Sequence, residues 1–210
     1  MANHVYFNID LDISDKQVEK LRQIMEVAME KSERDYGSGD PITITEWNAE
    51  KLPIYDAPYE EDNWYTWGCN NMGAKWVHIE EYDDYGVISG HSAWSHPVAL
   101  VENLIKTLCE LTEDTVSGSM TYEDEFRNFF GRDSFESYMH EDNIEMSWDE
   151  NYIDSDEYMD SMRDKFGDQL DEEDFDWWED QKDVDGNVVN PQEYADELVY
   201  EFFSSGDWNG

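Results

Sequence analysis

Residues 64–97 read WYTWGCNNMGAKWVHIEEYDDYGVISGHSAWSHP, and this stretch decides the fold. Lys75-Trp76-Val77-His78-Ile79 and Gly86-Val87-Ile88-Ser89-Gly90-His91-Ser92-Ala93-Trp94 read as two strands. Asp83-Asp84-Tyr85-Gly86 between them suits a hairpin turn. Ser95 is a good helix N-cap and Pro97 sits near the first helical position. The helix that follows carries an apolar stripe of Val98, Val101, Leu104, Ile105 and Leu108.

Upstream, Val5, Phe7, Ile9 and Leu11 alternate with polar residues, which predicts a half-buried strand. Ser14-Asp15-Lys16-Gln17 matches a capping box. The helix it opens carries Val18, Leu21, Met25, Ala28 and Met29 and is expected to end near Tyr36-Gly37. Residues 38–74 read as an irregular, Trp-rich insertion, with a short strand at Ile42-Thr43-Ile44-Thr45. Downstream of the second helix, Val116, Met120 and Tyr122 mark a last strand from Thr115 to Tyr122. The order strand, helix, two strands, helix, strand predicts an α+β fold. Its core is the βαββαβ arrangement called ferredoxin-like, an antiparallel sheet with two helices on one face. The name carries no iron, because two scattered cysteines, Cys69 and Cys109, cannot supply a cluster's ligands.

Trp67-Gly68-Cys69-Asn70-Asn71-Met72-Gly73-Ala74-Lys75-Trp76 and Ala93-Trp94-Ser95-His96-Pro97 resemble two motifs of the uncharacterised YubB-like proteins of bacteriophages and plasmids, W-x-x-NWG-[ST]-KW and TAWSPP. Asn71-Met72-Gly73-Ala74 departs from that family's Asn-Trp-Gly-Thr. The resemblance covers residues 1–131 and implies a ferredoxin-like domain and a mobile-element origin; it implies no activity and no catalytic residues.

Charge is the other dominant feature. The 210 residues hold 53 acids and 13 bases, a net charge of −40, yet 39% are hydrophobic and 15% aromatic. That aromatic content supports a packed core rather than disorder. The charge keeps the chain off nucleic acids and anionic membranes and directs it toward cations or basic proteins. Without a signal peptide, a long apolar run or a CxxC pattern, the chain reads as cytoplasmic, in the host cell if a phage encodes it. Residues 1–131 hold 26 acids and nine bases, and residues 132–210 hold 27 acids and four bases. This shift predicts an acidic, aromatic-rich and mainly helical extension over 132–210. Its stripe is Tyr158, Met162, Phe166 and Leu170, followed by a hairpin turn at Asp185-Gly186 and a final helix from Asn190-Pro191.

The densest charge lies on Asp154, Asp156, Glu157, Asp160, Asp164, Asp168, Asp171, Glu172, Glu173, Asp174, Asp176, Glu179 and Asp180, against only Arg163 and Lys165. On a continuous helix these residues give one net charge per ~3.7 Å, close to the ~3.4 Å of one DNA strand. They are the candidate binding residues, for a partner that normally binds nucleic acid. Other constellations are weaker. With 53 carboxylates, no acid–base pair stands out. His78, His91 and His96 surround the hairpin without a metal-ligand spacing, and read as packed or surface histidines. Asp183-Val184-Asp185-Gly186-Asn187 resembles a calcium loop but has Gln181 and Gln192 where that loop needs acids. Trp64, Trp67, Trp76 and Trp94 are numerous enough for a base-stacking platform, but the sign of the charge opposes it. The expectation is therefore a non-enzymatic inhibitor without cofactor or metal. It would mimic nucleic-acid charge and occupy the DNA- or RNA-binding groove of a basic host protein such as a defence nuclease. The alternative is an acidic structural or regulatory protein–protein interaction module without mimicry.

Overall fold

The computed structural model describes residues 3–34, 42–140, 143–171 and 175–205. Strand β1 (His4–Asp12) forms as the alternation predicts, with Val5, Phe7, Ile9 and Leu11 buried and Asn8, Asp10 and Asp12 exposed. Helix α1 (Asp15–Ala28) begins at the capping box, where the Ser14 backbone N–H donates to Gln17 Oε1 at 2.8 Å. Gln17 Nε2 in turn donates to the Thr115 carbonyl at 2.9 Å, fixing the start of α1 against the far end of the chain's core.

The helix does not reach Tyr36-Gly37. It stops at Ala28, and Met29–Arg34 continue directly as strand β2, paired with β3 (Ile42–Asn48). By propensity, Met-Glu-Lys-Ser-Glu-Arg prefers a helix. The β-branched ladder on β3 overrides that preference, with Ser32 opposite Ile44 and Met29 opposite Trp47. Charged residues on β2 suit its place at the sheet edge, where they discourage further pairing. Tyr36 and Gly37 lie outside the described residues. The 38–74 insertion is also more regular than its sequence suggests, for it holds β3 and helix α2 (Trp64–Met72).

The predicted hairpin is present: β4 (Lys75–Tyr82) and β5 (Val87–Ala93) are joined through Asp83–Gly86, with Gly86 at φ 101°. Helix α3 (Val98–Thr112) buries Val101, Leu104, Ile105 and Leu108. Ser95 does not cap it, because its hydroxyl donates across to the Gly73 carbonyl at 3.0 Å. Strand β6 (Ser117–Asp124) follows.

The 132–210 extension is not mainly helical. Its first part lies in two long strands, β7 (Phe129–His140) and β8 (Asn143–Asp154), which extend the sheet beyond β6; Gly131 falls inside β7. Phe135 and Ser137 on β7, and Ile144, Met146 and Trp148 on β8, give the period-2 pattern that drives this pairing. The remainder is α4 (Ser155–Phe166), a 3-10 turn at Gly167–Asp171, the two-residue strands β9 (Gln181–Lys182) and β10 (Val188–Val189), and α5 (Pro191–Ser205).

Eight strands form one antiparallel sheet in the order β2-β3-β4-β5-β1-β6-β7-β8. One face carries α1 and α3 and the larger core, from Val5 and Phe7 through Leu104 and Leu108 to Phe135. Phe130 and Ile153 project from the opposite face and join Tyr158, Met162, Phe166, Leu198 and Phe202 in a second core under α4 and α5. The apolar stripe Tyr158, Met162, Phe166 and Leu170 is buried as predicted. Each fully buried Leu, Ile or Phe on either face contributes roughly 1.5–3 kcal/mol of transfer free energy. No described helix is long and apolar enough to cross a membrane.

Candidate functional site

Gly73 ends α2 in a left-handed conformation (φ 79°), where a Cβ would meet the Ala99 backbone nitrogen at 2.9 Å. Lys75 follows at the start of β4, and the register against β5 shifts between Lys75 and His78. This irregularity turns the neighbouring indole outward. Trp76 (φ 53°) and Trp94 (φ 76°) both have left-handed backbones, rare for bulky side chains, and both are more than half exposed. Of the four tryptophans in 64–97, only Trp67 is buried, and its Nε1 donates to the Ala57 carbonyl.

Trp64 stacks on Trp76 with centroids 5.4 Å apart and planes within 12°. Lys75 Nζ lies 4.8 Å from the Trp94 ring, 4.9 Å from Trp76 and 5.5 Å from Tyr65. Three aromatic rings thus gather around one ammonium on the surface, with Trp64 stacked behind Trp76, and each cation–π contact is worth roughly 0.5–1 kcal/mol where exposed. Strained backbone with exposed indoles brings no core packing in return, and such strain concentrates at functional positions.

Trp94 also borders a pocket of about 560 Å³ on the α1/α3 side of the sheet. Its rear wall is His96, stacked on Tyr122 with centroids 3.8 Å apart and planes within 5°. Asp133, almost fully buried, pins both: Tyr122 OH donates to its Oδ1 at 3.1 Å, and His96 Nε2 lies 3.4 Å from its Oδ2. Burial, and then the Asp133 carboxylate, push the Tyr122 phenol above its ordinary pKa, so it stays a hydrogen-bond donor. Phe129 and Tyr152 complete the aromatic lining, and Glu150 and Asp154 supply the rim. The tight turn between β6 and β7 places Phe129: Asp124 accepts from the backbone N–H groups of Phe126 and Asn128 at 3.0 and 3.1 Å.

His96 belongs to this pocket, whereas His78 and His91 pair across β4 and β5 on the opposite sheet face beside His4. Burial pushes the His91 imidazole below its ordinary pKa; Glu80 opposes the shift, and His78 and His4 reinforce it. Among the described residues no group of three or more His, Cys, Asp or Glu is placed to hold a metal ion. The calcium-like loop is satisfied by protein groups: Asp183 accepts from the backbone of Asp185 and Asn187, from Asn187 Nδ2, and from Lys165 Nζ at 2.9 Å. Cys69 is exposed and Cys109 is buried beside Ser137.

The open sheet face also holds a groove of about 630 Å³ in which Arg132 lies among Asp10, Asp12, Glu136 and Asp149.

Of the thirteen tail carboxylates, Glu172, Glu173 and Asp174 lie outside the described residues. Asp154, Asp156, Glu157, Asp160, Asp164, Asp168, Asp171, Asp176, Glu179 and Asp180 are all exposed. They do not lie on one continuous helix. Asp156, Glu157, Asp160 and Asp164 share α4, which is about 18 Å long, and Gly167 (φ 68°) ends it. Asp154 caps α4, its Oδ1 accepting from Asp156 and Glu157 backbone N–H at 2.9 and 3.0 Å. The charge is therefore presented in segments rather than as one continuous helical row.

Compared with known proteins, the chain matches no family model, no curated protein and no solved structure.

Proposed function

We propose that this protein is a non-enzymatic inhibitor from a phage or other mobile element. It presents nucleic-acid-like negative charge and occupies the DNA- or RNA-binding groove of a basic host protein, such as a defence nuclease, in the host cytoplasm. The observation that carries the reading is where the charge sits. Among the described acids only Asp124, Asp133 and Asp183 are buried, so nearly all of the described carboxylates are offered to solvent by a well-packed body. Such a field accelerates encounter with a basic partner and repels nucleic acid itself. The exposed Trp76, Trp94 and Tyr65 supply the kind of aromatic anchors that dominate interface energies.

The same proposal takes β1-α1-β4-β5-α3-β6 as a ferredoxin-like core. The spatial order β4-β5-β1-β6 and the two helices on one face support it. Strands β2 and β3 and helix α2 are then insertions, and everything after β6 is an addition. The resemblance of residues 67–76 and 93–97 to YubB-like proteins supports both the core and the mobile-element origin.

The exposed aromatic cluster around Lys75 favours a second reading, an interaction module with an apolar interface and no mimicry. One comparison separates the two. Basic nucleic-acid-binding proteins recovered from host lysate are titrated with salt against the parent and a six-fold variant: Asp160→Asn, Asp164→Asn, Asp171→Asn, Glu172→Gln, Asp174→Asn and Glu179→Gln. Mimicry predicts steep loss of binding with salt, and an association rate that falls roughly tenfold or more in the variant. If the variant inhibits as well as the parent, the tail serves solubility alone and mimicry fails.

A further inference from the structure

We propose that the pocket bounded by Trp94, Tyr122, Phe129 and Tyr152 receives an arginine side chain of the basic partner. The inference deepens the reading above and rests on it for the nature of the partner.

The lining defines the chemistry. Trp94, Phe129 and Tyr152 line it with aromatic surface, His96 covers the buried Tyr122 ring behind them, Glu150 and Asp154 stand at the rim, and no lysine or arginine lines the cavity. An anion is repelled and a neutral apolar group leaves the carboxylates unanswered; an organic cation satisfies both. Glu150 has no hydrogen-bond or ion-pair partner among the described residues. Asp154 uses one carboxylate oxygen to cap α4, and no described donor takes the other. The volume, about 560 Å³, exceeds what a compact ammonium needs and admits a planar guanidinium with its stem.

Arginine is favoured over lysine because guanidinium is planar, weakly hydrated, stacks on rings and bonds carboxylates through a fork. The wall it would stack on is rigid before binding, because Asp133 holds Tyr122 and His96 together. Trp94 already shows its capacity for a cation, since Lys75 Nζ sits 4.8 Å from its ring. The same indole thus borders both the occupied ammonium site and the unfilled pocket.

The test uses capped tripeptides with a central arginine, lysine or citrulline, titrated into the full chain while the Trp94 indole N–H is followed by NMR. Citrulline keeps the shape of arginine and removes its charge. The expected result is a saturable shift with the arginine peptide, weaker binding by a few-fold for lysine, and by about tenfold or more for citrulline. Glu150→Gln and Tyr152→Ala, both at exposed positions, should each weaken the arginine peptide several-fold with the rest of the spectrum unchanged. Trp178→Ala, an exposed indole elsewhere, should leave binding as it is. Equal binding of citrulline, no saturable shift, or an equal effect of Trp178→Ala overturns the proposal. The lysine peptide carries the same charge as the arginine peptide, so attraction by the acidic surface at large is common to both and cancels between them. Failure of mimicry shows instead as salt-insensitive partner binding, whatever the peptide does.

Discussion

Replacing Trp94 by glycine and, separately, by alanine separates stability from recognition at the most unusual backbone position. Both variants lose the same indole, so loss of the Lys75 contact and of partial ring burial cancels between them. What remains is the cost of a Cβ at φ 76°. A left-handed conformation costs a non-glycine residue roughly 1–2 kcal/mol. Glycine escapes that cost but loses about 0.4–1 kcal/mol through the greater freedom of its unfolded chain. The difference leaves the glycine variant ahead by about 0.5–1 kcal/mol. The conformation is held from several sides: the Trp94 N–H donates to the Asn3 carbonyl at 3.1 Å, Ser92 Oγ donates to the Ser95 carbonyl at 2.6 Å, and Ser95 Oγ to Gly73. Relaxation to an extended backbone in the alanine variant would have to break these bonds. Urea unfolding reads the difference as a midpoint shift of roughly 0.3 M, given slopes of about 2–3 kcal/mol/M. At an extended position the order reverses, and alanine is the more stable by about 0.4–1 kcal/mol. An alanine variant more stable than the glycine variant therefore refutes the strain argument. Both variants should lose arginine-peptide binding equally when heat of binding is measured by calorimetry, since neither carries the ring.

Phe130→Ala should cost about 3–5 kcal/mol, since the side chain is fully buried and its ring meets Phe202 at 5.2 Å and Tyr158 at 6.2 Å edge-on. Hydrogen exchange should then rise in α4 and α5 while β1 and β5 keep their protection; parallel loss in β1 would mean that the two cores do not open separately. The Asp183 carboxyl is held well below the usual carboxylate range by Asn187 first and Lys165 second. A depressed folded pKa stabilises above the unfolded value, about 3.9, and this stabilisation is lost as pH falls through the folded value. Acid unfolding followed below pH 4 should be less steep in Asp183→Asn, and an unchanged profile would remove Asp183 from the account.

The elements legible in the sequence are those where a single period governs burial. In β1, α3 and β6 the apolar residues fall at steps of two or of three and four, and they are buried as spaced. Helix α2 was not legible because Gly68 and Asn70-Asn71 interrupt its stripe, leaving Trp67 and Met72 as its large buried anchors. Strand β2 carries no apolar alternation and is defined by its partner. Strands β7 and β8 hide their alternation among acids, and composition alone assigns them to a charged extension. The pocket was illegible for another reason: Trp94, Tyr122, Asp133 and Tyr152 come from separate segments and meet only through strand order. One local signal was present. Asp133 occupies the same strand face as Phe135, and a carboxylate on an inward face must find partners.

The acids and the aromatic site act over different ranges, and their separation on the fold follows from that difference. Exposed carboxylates are screened beyond about 8 Å at physiological salt, so on the proposed reading the tail would bias approach and orientation and contribute little selectivity at contact. Stacking and cation–π contacts act only at contact, and they need fixed geometry. The chain accordingly places its acids on exposed helices and strand ends, where freedom of the side chain costs nothing. It places Trp94, Tyr122 and Phe129 beside the larger core, where Asp133 and the β6–β7 turn hold them. Charge neutralisation in the tail should therefore act on association, and substitution in the pocket on dissociation. A partner complex in which tail and pocket variants alter the same rate constant would show that the two surfaces do not divide the work this way.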